Sequence, residues 1–143
     1  MKQSILVATV LAVMAASCKD KDKGTSTPTS SLTVRQQAMI GKDWMIQSVM
    51  LDTMDVTPFI EDCIKDNVIH HFTDASAGYA DEGATKCDPL DSQRLVQTWK
   101  LINNESRLIV TQSGERDTFE ILNLNTAELK YKVDDTIITL KRK

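Results

Sequence analysis

The chain has 143 residues, 41% of them hydrophobic, 26% charged and 5% aromatic, with three cysteines and a formal net charge of −3. One globular domain with a short extension fits these values, whereas a coiled coil, a collagen-like repeat, a wholly disordered chain and a multidomain enzyme do not. The mild acidic balance also argues against nucleic acid as a partner, because gripping a phosphate backbone takes a basic stripe that displaces counterions.

In chain order the first element is an export signal. Met1 and Lys2 precede an apolar run from Ile5 to Ala16, followed by Ser17 and Cys18. An early cation before an apolar segment too short to cross a bilayer, closed by small residues, is the layout of a secretory signal peptide. Ala15, Ala16, Ser17 and Cys18 resemble the lipobox of bacterial lipoproteins, with Ala15 where that family usually has Leu. The resemblance implies removal of residues 1–17, lipid on both the thiol and the amine of Cys18, and a membrane as partner through that lipid. Several acyl chains hold a protein on a bilayer at about 0.8 kcal/mol per buried methylene. The implied address is the outer membrane of a Gram-negative bacterium, with the domain in the periplasm or at the cell surface.

Residues 18–31 read as a tether. Lys19 to Ser31 carries no side chain that a core could use, so burial cannot offset the entropy of ordering it. Its alternating Lys and Asp at 19–23 resemble the export tags of some surface lipoproteins, and read equally well as a solvated leader.

The domain is expected over residues 32–143. Val34 to Ile40 lacks alternation and predicts a short N-terminal helix capped by Thr33, placed to plug one end of the fold. Eight strands are then expected: Trp44 to Met50, Val68 to Thr73, Ala77 to Asp81, Leu95 to Ile102, Arg107 to Gln112, Thr118 to Leu124, Glu128 to Val133 and Thr136 to Lys141. Asn103-Asn104, Ser113-Gly114, Asn125-Thr126 and Asp134-Asp135 separate the later ones, and such residues tolerate the positive φ of tight hairpins. Leu129, Tyr131 and Val133 share one strand face, Lys130 and Lys132 the other, which is the pattern of an antiparallel sheet with one buried side. Closing that sheet into an all-β, eight-stranded up-and-down barrel removes its exposed edges. A sandwich is the other architecture these strands allow.

Parity puts Trp44, Phe72, Trp99, Leu101, Leu108, Val110, Phe119, Ile121, Leu129, Tyr131 and Leu140 on the inner face. The run Ile40, Gly41, Lys42, Asp43, Trp44 resembles the approach to the first strand of a lipocalin, where a Gly and a Trp close the barrel floor. Cys63 to Asn67, Asp81 to Pro89 and Trp99 are similar to the small lipocalin-like lipoproteins of Gram-negative bacteria. Between Cys63 and Phe72 the chain is one residue longer than that family pattern. A β-bulge is the expected accommodation, and it leaves open whether His70 or His71 faces inward.

With Cys18 lipidated, Cys63 and Cys87 are an even pair in an exported domain, and a disulfide is expected between them. Two histidines on opposite strand faces make a poor metal site, and no metal or other cofactor is expected. Asp74, Asp81, Glu82, Asp88 and Asp91 read as solvated loop residues. A carboxylate pair among them could do acid and base work or hold calcium, but no EF-hand spacing appears, and without a nucleophile elbow or phosphate loop an enzyme is not expected. A small barrel is either filled by its own side chains or holds one small molecule. The resemblance favours a small apolar or amphipathic ligand, with Trp44, Phe59, His70, Phe72, Trp99, Phe119 and Tyr131 as contacts, Pro58 to Cys63 as a lid and Met45, Met50 and Met54 as adaptable neighbours. The competing reading is a filled barrel that serves a surface protein partner.

Overall fold

A computed structural model describes residues 31–143. The expected signal peptide, the expected lipidation site Cys18 and the expected tether up to Ser30 lie outside the described residues. Helix α1 (Val34–Met39) starts at Thr33, whose hydroxyl accepts from the Gln36 amide while the Gln36 side chain accepts from the Thr33 amide. This reciprocal capping satisfies two donors that a helix start otherwise leaves open. Gly41, at φ +69°, then turns the chain into the first strand, its amide donating to the Phe72 carbonyl at 2.8 Å.

The strands follow as β1 (Asp43–Leu51), β2 (Met54–Asp55), β3 (Val68–Phe72), β4 (Ala77–Asp81), β5 (Arg94–Ile102), β6 (Arg107–Gln112), β7 (Glu115–Leu124), β8 (Glu128–Val133) and β9 (Thr136–Arg142). Neighbours pair antiparallel in the order β1, β3, β4 and onward to β9, and β9 pairs back onto β1, so eight strands close a barrel. The two-residue β2 only extends the end of β1. Between β2 and β3 lie a 3-10 turn (Thr57–Phe59) and helix α2 (Asp62–Lys65). The architecture is thus the up-and-down barrel expected from alternation, and the sandwich is excluded.

Strand β7 begins three residues earlier than alternation alone suggested, because it pairs with β6 along the whole of that strand, from Gln112 opposite Glu115 to Arg107 opposite Glu120. Positive φ occurs at Asn103, Asn104, Ser113, Gly114 and Asp134 as the turn residues imply. The Asn125-Thr126 turn is held differently: the Asn125 side-chain oxygen accepts from the amides of Ala127 and Glu128.

The extra residue before Phe72 is a bulge. Val68 pairs with Asp81 and His71 with Tyr79, so two residues of β3 face one of β4. The phase after the bulge settles the histidines: His70 is 4% exposed and points inward with Phe72, while His71 faces outward, its Nδ1 2.6 Å from Asp43 Oδ1 and its ring stacked on Tyr79.

All the expected inward side chains lie in the core or, for Leu101, packed against it, and α1 adds Met39. The two barrel ends differ. At one, α1 joins the turns β3–β4, β5–β6 and β7–β8. Trp44 and Met39 are fully buried there, the Trp44 indole donating to the Met39 carbonyl at 3.0 Å. Thr33 also donates to Glu105 in the β5–β6 turn. This is the closed end. The other end carries the long β1–β3 and β4–β5 connections, bridged by the Cys63–Cys87 disulfide, with Cα atoms 5.2 Å apart across a sequence separation of 24.

Candidate functional site

A cavity of about 630 Å³ opens at the end with the long connections, which we call the mouth. Along β6 and β7 its inner wall turns from polar at the mouth to apolar farther in, from Gln112 to Val110 and from Glu115 and Asp117 to Phe119. Val110, Phe119 and Ile138 form an apolar depth and His70, Gln97, Gln112 and Tyr131 a polar belt, interleaved across the sheet, since Val110 pairs with Asp117 and Ile138 with Tyr131. Asn67, Asp81, Glu82, Glu115 and Asp117 stand toward the rim. The lining is therefore amphipathic rather than wholly apolar. Below it, Trp44, Phe72 and Trp99 fill the closed half, with the Trp99 indole donating to the carbonyls of Asp74 and Ala77.

The polar belt is a connected relay whose direction is fixed by chemistry. The Gln97 amide nitrogen donates to the Ile69 carbonyl at 3.1 Å and to Gln112 Oε1 at 2.7 Å, which leaves its oxygen facing His70 Nδ1 at 3.0 Å. An amide oxygen only accepts, so Nδ1 carries the hydrogen and Nε2 presents a lone pair. The Tyr131 hydroxyl lies 3.4 Å from that Nε2 and donates toward it. Burial depresses the His70 pKa to about 4, against the smaller opposing effect of its bond to Gln97, so the ring is neutral at neutral pH. Burial, reinforced by the negative charge of Asp117, raises the Tyr131 pKa and keeps the phenol protonated.

At the rim the carboxylates are not equivalent. Asp81 is held below the ordinary carboxylate range by Arg94, whose Nε donates at 2.7 Å, and next by Gln93. Arg94 in turn lies over the Tyr79 ring at 4.5 Å on the outer wall. Glu115 and Asp117 continue the inward face of Phe119 and Ile121 toward solvent. The other acidic loop residues build turns: Asp74 accepts from the amides of Ser76 and Ala77, and Asp88 from that of Leu90.

Of the contacts expected from sequence, the fold brings His70, Phe119 and Tyr131 to the cavity. It does not bring the others. Trp44, Phe72 and Trp99 belong to the packed half, because their strand positions lie nearer the closed end. Phe59 sits on the 3-10 turn with 79% of its surface exposed. No residue of 58–63 lines the cavity, nor does Met45, Met50 or Met54, so the lid is not formed. Sequence reasoning passed over Gln97, Gln112, Glu115 and Asp117. For Gln97 and Gln112 the signal was present, since each lies two residues from an apolar inward position on its own strand, whereas Glu115 and Asp117 precede Thr118, where the sequence predicts that the strand begins.

In comparisons with known proteins, no family model, no curated protein and no solved structure matches the chain. What fold and site define is therefore a class: a closed eight-stranded up-and-down β-barrel, packed at one end and hollow at the other.

Proposed function

We propose that the protein is a lipid-anchored, lipocalin-like lipoprotein of the outer membrane that binds a small amphipathic molecule in the mouth of its barrel. The observation that carries this reading is the cavity of about 630 Å³, of the size usual for small-ligand sites, on an amphipathic wall where His70, Gln97, Gln112 and Tyr131 are fixed by one another. The reading is one of binding rather than catalysis. Anchoring through Cys18 rests on the sequence resemblance, and the mass of the mature chain from its own host tests it: an unmodified Cys18 removes the anchor.

The binding itself is tested with N-phenyl-1-naphthylamine, an uncharged dye that brightens on leaving water. A saturable rise in emission is expected, and Val110→Trp, which fills the apolar depth, should suppress it. No rise with the native chain, or an equal rise with the variant, overturns the cavity as the binding site. A second reading, a surface protein partner, is favoured by Phe59 and Leu90, 79% and 94% exposed on the two mouth connections. Binding of the dye that is indifferent to Val110→Trp but lost in Phe59→Ser would favour that reading instead.

A further inference from the structure

The inner wall at the mouth carries charge of one sign. Glu82, Glu115 and Asp117 line the cavity, and among the described residues that line it none is Lys or Arg. The nearest candidate for neutralising them along the chain, Arg116, alternates to the outer face, where it borders a hollow with Thr98, Lys100 and Thr111. Asp81 has its own cation in Arg94, whereas among the described residues Glu82, Glu115 and Asp117 form no ion pair. Beside these carboxylates lie a relay of neutral groups and the apolar surface of Val110, Phe119 and Ile138, with Val110 directly opposite Asp117 and Phe119 two residues farther in on the same strand.

We propose that the molecule taken at the mouth is a small organic cation, an apolar body bearing a protonated amine that is drawn to the carboxylates of Glu115, Asp117 and Glu82 along the cavity wall. This rests on reading the cavity as a ligand site and adds the sign of the ligand's charge. A cleft rimmed by one sign, with low-dielectric walls, concentrates counter-charged solutes and repels anions. The apolar depth has no place for the ammonium group, so the molecule enters with its body inward and its charge at the rim.

Three probes with one body and three charges test this: phenylbutylamine, phenylbutanol and phenylbutyrate, titrated calorimetrically into the full chain. At low ionic strength the amine should bind about tenfold more tightly than the alcohol, from two or three partly exposed charge pairs, and the carboxylate weakest. Molar salt should bring amine and alcohol together, since exposed pairs are screened. Glu115→Gln combined with Asp117→Asn should do the same without salt. Both side chains are exposed, and near-UV circular dichroism checks that the variant keeps the native core. Equal affinities at low salt, a carboxylate that binds tightest, or a preference that survives both salt and the double variant overturns the cation and leaves the cavity standing. So does failure of all three probes while the uncharged dye still enters. Failure of the dye as well removes both readings.

Discussion

At the scale of single residues, His70 is where burial and hydrogen bonding pull hardest against each other. Its pKa falls from an ordinary 6.5 to about 4 in the fold, so between these values the unfolded chain takes up a proton that the folded chain refuses. The unfolded state then binds more protons, and stability must rise with pH across that window. The contribution, on the order of 3 kcal/mol, is fully present above pH 6.5 and is lost progressively as pH falls toward 4. Urea unfolding midpoints measured over this range should show the slope, and His70→Gln should flatten it. Gln97 has a different weight. Gln97→Leu strips partners from His70 Nδ1, Gln112 and the Ile69 carbonyl together, and should destabilise by about 1–3 kcal/mol by the same measurement.

Between elements, β3 and β4 approach closely at Gly78. A Cβ on Gly78 would stand 2.6 Å from the His71 carbonyl oxygen, a backbone atom that cannot move without parting the strands. Gly78→Ala should therefore cost about 1–3 kcal/mol, read as a lower thermal midpoint. The bulge in β3 shows what was legible in the sequence and what was not. The chain length between Cys63 and Phe72 predicted an extra residue, but only its position, between Val68 and His71, decides that His70 turns inward. Alternation identified the apolar lining because Val, Leu, Ile and aromatic side chains leave water on one face. It gave no such guidance for Glu115 and Asp117, whose inward direction is imposed by the register with β6 rather than by their own solvation. Phe59 failed in the opposite way: its place in the Pro58 to Cys63 segment suggested a lid contact over the mouth, while the 3-10 turn that carries it begins around Pro58 and holds it in solvent.

For the molecule as a whole, integrity depends on β9 meeting β1 from Trp44 opposite Arg142 to Leu51 opposite Thr136. A chain truncated before Thr136 loses that seam, bares the edges of β1 and β8, and removes Leu140 from the core. Such a chain should fail to give a cooperative melt and should elute as aggregates on size exclusion. The disulfide acts on a milder scale. Because it closes a loop of 24 residues, its reduction should lower stability by about 3 kcal/mol in the chain-entropy model, seen as a shift in the urea midpoint between oxidised and reduced protein.

That covalent link also bears on the entrance. It ties the two longest excursions of the backbone into a single lip around the aperture, so that neither swings without the other. Neither cysteine touches the chamber wall, so the bond shapes the doorway and leaves the interior to the strands. An oxidising compartment accordingly keeps the doorway at one width, whereas a reducing one lets its two sides part while the wall within stays as the strand pairing sets it.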